Sequence, residues 1–146
     1  MSKSKALINE LLVDVFNNIL SIEEDVLESR GVKLSMKEVH ILETVRNTPF
    51  PTMSAVAKHL RITMGTLTAS IDRLVRKKFV RRGQQENDRR KVIIELAEPA
   101  FEVLKIHDEF HNEMIEAIFS DMKIDEDEVL LKSLENLSNY FKEKYH

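Results

Sequence analysis

Histidines and carboxylates are the side chains of this chain with the clearest potential for metal chemistry. His107 and His111 stand four residues apart, which puts both imidazoles on the same face of a helix. Three imidazoles and one carboxylate suit tetrahedral Zn²⁺, and His40 together with Glu24, or its neighbour Glu23, would complete such a set. Alternatively, these histidines line an effector pocket or hydrogen-bond to the backbone, and the sequence leaves both interpretations open.

The stretch from His107 to His111 also approaches a metalloprotease pattern, but it lacks the general base. That chemistry needs Glu directly after the first His, and Asp108 stands there instead. The chain contains no cysteine, which excludes disulfides, thiol chemistry and Cys-ligated metal sites. No Gly-rich phosphate loop or Ser-His-Asp arrangement is apparent, so the sequence predicts a protein that is not an enzyme.

A strongly basic segment runs from Lys58 to Lys91. It carries eleven Lys and Arg residues against three acidic ones, a net charge of +8. The 146-residue chain as a whole is −3, so the remainder sums to −11. An ordinary solvated surface would intersperse both signs. The split therefore predicts that a polyanion, and specifically DNA, binds to this segment.

The elements that must position these groups are mainly helical. Apolar positions three and four apart predict a first helix from about residue 4 to 28, with Gly31 as its stop signal. The start signals of the later helices are Ser35 with Glu38 in a capping box, Thr52 or Ser54, Thr63, Pro99 and Asp125. Strands are predicted from Phe79 to Arg82 and from Lys91 to Leu96, joined by a polar tip.

The fourth helix has the pattern of a DNA-recognition helix. Its predicted core face is Met64, Leu67, Ile71, Leu74 and Val75, and its opposite face is Thr66, Ala69, Arg73, Arg76 and Lys77, with Ser70 on the flank. Short polar side chains allow the backbone to approach base edges, and the cations can reach bases or phosphates. In the tip that follows, Arg90 is expected to enter a minor groove while Asp88 braces its side chain.

The predicted fold class is mainly α, a winged helix-turn-helix with long terminal helices. Residues 1–146 form one domain, with a DNA-binding lobe at 35–97 and dimerisation helices at 4–30 and 98–146. Pairing with a second copy would bury the long helices and set two recognition helices about one DNA turn apart. The N-terminus lacks a signal peptide and no apolar run is long enough to span a membrane, so no membrane partner and a cytoplasmic location are expected.

Two motifs resemble the MarR family of winged helix-turn-helix transcription regulators. The segment Thr63-Met64-Gly65-Thr66-Leu67-Thr68-Ala69-Ser70-Ile71-Asp72-Arg73-Leu74 is similar to that family's recognition helix, and Asp88-Arg89-Arg90 before Val92-Ile93-Ile94-Glu95-Leu96 is similar to its wing. The family usually has Gly at the end of the recognition helix, where this chain has Lys78. A left-handed conformation there would carry a steric penalty for Lys.

A narrower resemblance points to the FabT subgroup, repressors of fatty-acid synthesis genes. The segments that carry it are Phe16-Asn17-Asn18-Ile19-Leu20-Ser21-Ile22-Glu23-Glu24, Lys37-Glu38-Val39-His40 and Glu86-Asn87-Asp88-Arg89-Arg90. The resemblance implies long-chain acyl–acyl carrier protein as co-repressor, and no obligatory cofactor. Zinc-responsive members of the same family imply the alternative, a metal-responsive regulator that uses His40, His107 and His111.

Together these patterns predict a homodimeric, sequence-specific repressor that binds an inverted-repeat operator in double-stranded DNA. The predicted DNA contacts are Ser35, Ser54, Thr63, Thr66, Thr68, Ser70, Arg73, Lys77, Arg82, Asn87, Asp88, Arg89, Arg90 and Lys91. The predicted effector pocket comprises Phe16, Ile19, His40, Leu104, His107, Phe110, His111 and Met114. The predicted metal set is Glu24, His40, His107 and His111.

Overall fold

The computed structural model describes residues 2–85, 88–120, 123 and 126–145. Its elements are α1 (Lys3–Glu10), a π-helical turn (Leu11–Val15), α2 (Phe16–Ser29), α3 (Met36–Asn47), α4 (Met53–Leu60), α5 (Met64–Arg76), β1 (Val80–Gln85), β2 (Asp88–Leu96), α6 (Glu98–Phe119) and α7 (Glu128–Tyr145). This is the predicted mainly helical fold with a two-stranded wing. The chain divides into two compact units, and the boundary between Phe110 and His111 falls within α6.

Three of the predicted helix starts are confirmed by their hydrogen bonds, whereas Asp125, the start predicted for the last helix, lies outside the described residues. Ser35 and Glu38 form a complete capping box: the Ser35 hydroxyl accepts from the Glu38 amide at 3.2 Å, and the Glu38 carboxylate accepts from the Ser35 amide at 3.1 Å. Thr52, not Ser54, caps α4, and Thr63 caps α5. Each cap satisfies an amide that has no partner inside its helix.

Three helices end in the same left-handed turn, and only one of the three has glycine there. Gly31, Arg61 and Lys78 have φ values of +79°, +58° and +67°. After α5, the amide of Phe79 donates to the Leu74 carbonyl at 2.9 Å and that of Lys78 to the Val75 carbonyl at 3.0 Å. This is the Schellman pattern, so the backbone at Lys78 has the conformation that carries a penalty for a side chain with Cβ.

The core of the first unit is formed by α3, α4, α5 and the wing, with contributions from α2 and the start of α6. On α5, Leu67, Ile71 and Leu74 are 0% exposed, as predicted for its apolar face. Met64 was also predicted on that face and is instead 48% exposed, because it stands in the first turn, beyond the neighbouring helices. The other buried apolar residues are Leu27, Leu34, Met36, Val39, Ile41, Leu42, Val45, Val56, Ala57, Val80, Ile94, Ala100, Val103 and Leu104.

The wing is an antiparallel hairpin that is longer than its apolar residues suggest. Val80 pairs with Leu96, and the register holds to Gln84 before an irregularity at Gln85. The amide of Ile94 also donates to the Pro51 carbonyl at 2.9 Å, which attaches the wing to the segment before α4. The wing is therefore fixed to the body of the lobe at its base.

The two ends of the chain contrast with this core. No residue of α1, the π-helical turn or α7 is buried, although all three carry large apolar side chains. On α7 the exposed apolar side chains are Val129, Leu131, Leu134, Leu137, Tyr140, Phe141 and Tyr145. Among the described residues, no helix is both long and apolar enough to cross a membrane.

Candidate nucleic-acid interface

The outer face of α5 is polar and open to solvent. Thr66, Ala69, Arg73 and Arg76 are all exposed on the side opposite the buried Leu67, Ile71 and Leu74. The Thr63 hydroxyl donates to that of Thr66 at 2.9 Å, which fixes both side chains at the start of the helix. The arrangement leaves short polar groups at one end of α5 and guanidinium groups at the other.

Ser70 differs from its predicted role as a base contact. It is only 8% exposed, and its hydroxyl accepts a hydrogen bond from Arg73 Nη2 at 3.1 Å. A buried hydroxyl of this kind orients the guanidinium group of Arg73. Thr68 is exposed, but its hydroxyl donates to the Met64 carbonyl at 2.8 Å, one turn back in the same helix.

Two of the remaining predicted DNA contacts, Ser35 and Ser54, lie at helix starts elsewhere in the lobe. Ser35 is the first partner of the capping box described above. Ser54 lies exposed in the first turn of α4, with its hydroxyl 3.4 Å from that of Thr52. Both side chains face solvent, and neither lies on α5 or the wing.

Two cations predicted to hold phosphates instead contact carboxylates. The Lys77 ammonium lies 3.2 Å from both carboxylate oxygens of Glu38. Arg82 forms a salt bridge with Asp72, which joins β1 to α5. Because each carboxylate already neutralises its cation, a phosphate would have to replace that carboxylate or share the cation with it.

The described part of the wing tip holds its cations outward. Asp88 Oδ1 accepts from the backbone amide of Arg90 at 3.0 Å. Asp88 was predicted to brace the side chain of Arg90, and in the structure it braces the backbone instead. Arg90 and Lys91 are exposed. Arg89 belongs to β2 by its backbone, and Asn87 lies outside the described residues.

The surface charge remains positive after these pairings. Arg81 also forms a salt bridge, with Glu95 across the hairpin at 2.6 Å, so among the side chains that the structure describes in the basic segment, Lys77, Arg81 and Arg82 are paired with carboxylates. The exposed cations that complete this surface are Lys58, Arg61, Arg73, Arg76, Lys78, Arg90 and Lys91. They spread over the ends of α4 and α5 and over the wing.

The predicted metal ligands are only partly brought together within the first unit. His107 is buried, at 4% exposure, with its Nε2 2.9 Å from Glu43 Oε2 and its Nδ1 3.9 Å from Glu23 Oε1. Of the two α2 carboxylates considered as ligands, Glu23 and not Glu24 lies near His107; Glu24 instead accepts from the Met36 amide at 3.4 Å. The ring centroid of His40 lies 6.3 Å from that of His107.

A second polar contact reinforces this junction of helices. Arg46 Nη1 donates to Asp108 Oδ2 at 2.7 Å, which links α3 to α6. Hydrogen bonding to Asp108 raises the pKa of Arg46 above its ordinary value, because the carboxylate favours the protonated guanidinium group. Glu43 and Arg46 are the residues here that sequence patterns did not single out.

The predicted effector pocket is not assembled as expected. Leu104 is packed in the apolar core at 1% exposure, whereas Phe16 is 58% exposed on α2. His40 does line a cavity, of about 510 Å³, between α2 and the start of α3. The other residues that line this cavity are Asn17, Leu20, Ser21, Glu24, Ser35, Met36 and Lys37. Its wall on α2 combines the polar side chains of Asn17, Ser21 and Glu24 with the apolar side chain of Leu20.

Known proteins resemble the chain in both sequence and fold. The MarR family model matches residues 34–92. The crystal structure of Streptococcus pneumoniae FabT in complex with DNA is 36% identical with a TM-score of 0.84, and the match covers 95% of this chain and 98% of FabT. AbsC, a MarR family transcriptional regulator from Streptomyces coelicolor, shares the fold with a TM-score of 0.74 at 20% identity, over 99% of this chain and 98% of AbsC.

A curated sequence relative agrees with these matches. The uncharacterized HTH-type transcriptional regulator YfiV of Bacillus subtilis (strain 168) is 30% identical over 81 residues. That match covers 56% of this chain and about half, 51%, of YfiV. The winged lobe, the family model that matches it and the similarity to FabT over nearly the full length agree: the chain belongs to the MarR family of winged helix-turn-helix transcription regulators and is not an enzyme.

Proposed function

We propose that this regulator is a homodimeric repressor that binds an inverted-repeat operator in double-stranded DNA. The observation that carries the proposal is the division of α5 into two faces. Leu67, Ile71 and Leu74 anchor it in the core, and Thr66 and Arg73 stand on the exposed side. A helix held so firmly along one side can enter a major groove without deforming.

In the proposed complex, α5 and the wing contact different parts of the duplex. Thr66 and Arg73 face the base edges, and Ser70 keeps Arg73 oriented. Arg90 enters the flanking minor groove from the wing, where narrow A·T-rich segments concentrate negative potential. Lys91 contacts a phosphate. The 36% identity to FabT, which has been crystallised with DNA, supports this mode of binding.

The dimer is proposed because the terminal helices expose more apolar surface than a monomer usually carries. On α1 and the π-helical turn the exposed apolar side chains include Leu7, Ile8, Leu11, Leu12, Val13 and Val15, at 39–56% exposure. The apolar side chains of α7 are likewise exposed. A two-fold pair of chains would cover these faces and present two recognition helices to one duplex.

For the regulated genes and the effector, we propose fatty-acid synthesis genes and long-chain acyl–acyl carrier protein as co-repressor. The support is the similarity to FabT and the cavity beside α2, into which Leu20 and Met36 contribute apolar surface. Acyl carrier proteins are acidic, so the exposed cations Lys58 and Arg61 are the proposed docking site. The site of action would be the cytoplasm.

One observation favours a second candidate, a zinc-responsive regulator. In the tautomer that this contact favours, His107 Nε2 donates a hydrogen bond to Glu43, and Nδ1 faces Glu23 Oε1 at 3.9 Å. Two ligand atoms about 2.0–2.2 Å from a shared Zn²⁺ can lie that far apart, and an outer carboxylate commonly orients a ligating imidazole. His111 follows His107 by one turn on α6.

One gel-shift series separates these proposals. The probe is a duplex that the protein itself selects from a random-sequence library. A co-repressor predicts tighter binding when long-chain acyl–acyl carrier protein is added and no change with a chelator. A zinc-responsive regulator predicts that a chelator changes DNA affinity and that acyl–acyl carrier protein does not, with the response to the chelator lost in His107→Ala. Failure to enrich any duplex would contradict the proposed DNA binding itself.

A further inference from the structure

The ammonium group of Lys77, directly after the last turn of α5, contacts three acceptor atoms of two residues. Its Nζ lies 3.2 Å from Glu38 Oε1, 3.2 Å from Glu38 Oε2 and 3.3 Å from the carbonyl oxygen of Lys33. An ammonium group has three N–H donors, and these three acceptors match them. Lys77 thereby connects the end of α5 to the first turn of α3 and to the loop that follows α2.

Glu38 has little freedom to give up this contact. Its side chain is 9% exposed, and its Oε1 also accepts from the amide and the hydroxyl of Ser35, at 3.1 and 3.3 Å. A buried carboxylate requires such partners. The helix ends favour the pair as well, because Glu38 stands at the positive end of α3 and Lys77 at the negative end of α5.

We propose that Lys77 is a positioning residue, which fixes the end of the recognition helix against the loop from Arg30 to Ser35, and not a phosphate ligand. The inference rests on the proposed DNA-binding function. The loop continues directly from α2, the helix that borders the proposed effector cavity. A shift of α2 is therefore passed to the recognition helix through Lys33 and Glu38.

The ion pair of Lys77 and Glu38 can orient α5, yet it is accessible to water. The Lys77 side chain is 40% exposed, and the pair lines a surface cavity of about 530 Å³ together with Glu24, Glu28 and Lys33. Water that reaches the ammonium group weakens the ion pair relative to a sealed one. An effector that moved α2 would have only this solvated contact to rearrange at Lys77.

The two roles for Lys77 make different predictions for salt dependence. A phosphate ligand adds about 0.9 to the magnitude of the slope of log affinity against log salt, and its loss weakens binding to every sequence alike. A positioning residue leaves the slope unchanged. Its loss weakens binding to the operator, which requires a correctly set recognition helix, and leaves binding to random DNA as it was.

The test uses full-length wild type, Lys77→Met, Glu38→Gln and the double variant. Methionine keeps most of the apolar stem, and glutamine at this position of a capping box still accepts from Ser35. Affinities are measured for a duplex selected by the wild type and for a scrambled duplex of equal length and composition, at several salt concentrations. Lys91→Met, at an exposed wing cation, is the control that should lower the slope.

We expect each single variant to lose about tenfold in affinity for the selected duplex, with the double variant no worse than the weaker single variant. The scrambled duplex and the slope should be unaffected. A slope that falls by about 0.9 in Lys77→Met, or losses that multiply in the double variant, would overturn the proposal.

Melting temperatures of the same four proteins keep the two hypotheses separate. The contact predicts that both single variants melt roughly 3 °C lower and that the double variant melts no lower than either. Additive shifts would contradict the contact, whatever the DNA result. If the wild type selects no duplex, the DNA-binding function fails, while the melting data still decide whether Lys77 and Glu38 act as a pair.

Discussion

The recognition helix α5 and the C-terminal helix α7 are both amphipathic, but only α5 buries its apolar face within the chain. Leu67, Ile71 and Leu74 are 0% exposed, whereas no residue of α7 is buried and Phe141 is 48% exposed. The core that holds α5 is therefore formed within a single chain. The stability of α7 must come from another surface, and the proposed surface is a second copy of the chain.

The largest effect is expected in the lobe, where the core depends on this chain alone. Leu74→Ala should lower the free energy of unfolding by about 2–5 kcal/mol, because it leaves a cavity at a fully buried position. Urea denaturation measures this loss. The matched control is Leu134→Ala on α7, at 51% exposure, which should cost less than about 1 kcal/mol at a dilution where the wild type is monomeric. Equal losses would erase the contrast between the two helices.

A charge placed on α7 should act on association rather than on the fold. Phe141→Asp should weaken dimerisation at least about 30-fold, since an aspartate would be buried without a partner in the proposed pair of chains. Sedimentation velocity over a range of protein concentrations measures this shift. The melting of the winged lobe, followed by circular dichroism, should change little. An unaltered association constant would show that this face does not form the dimer.

A change at the wing should affect DNA binding without affecting either stability or association. Arg90→Ala should weaken binding to the selected duplex by about 1–3 kcal/mol, which is typical of a groove contact made by arginine. Arg30→Ala is the matched control, because Arg30 is exposed, carries the same charge and lies outside the basic segment. A titration at fixed salt in which both variants bind alike would contradict the role given to the wing.

The smallest effect concerns the backbone at the end of α5. Lys78→Gly should raise the free energy of unfolding by about 0.5–1 kcal/mol, because glycine adopts the left-handed conformation at φ +67° without steric penalty. Lys78→Ala removes the same charge but retains Cβ, so it should bring no gain. If alanine stabilises the protein as much as glycine, the effect comes from charge and not from backbone strain.

Features set by near neighbours in the chain could be predicted from the sequence. The capping box of Ser35 and Glu38, the cap at Thr63 and the buried face of α5 each depend on residues three or four positions apart. The hairpin was predicted too short, because Gln84 pairs through its backbone and its side chain gives no apolar alternation to detect. Met64 was assigned to the core on periodicity alone.

Side-chain partners distant in the sequence could not be predicted. Lys77 and Glu38 are 39 residues apart, and His107 and Glu43 are 64 apart, so no spacing rule connects them. The choice between Glu23 and Glu24 requires the rotational phase of α2 relative to α6, which periodicity fixes only to about one residue. Ser70 shows the same limit, because its flank position on the helical wheel gave no sign of its burial.

The central claim is that two copies of the chain place two winged lobes on one duplex. Sedimentation equilibrium of the protein mixed with the selected operator duplex measures it most directly, through the mass of the complex at rising protein concentration. The account predicts two chains bound per duplex, with no significant population that holds one chain. A complex that saturates at a single chain, or a protein that stays monomeric and fails to bind the duplex at low salt, would contradict it.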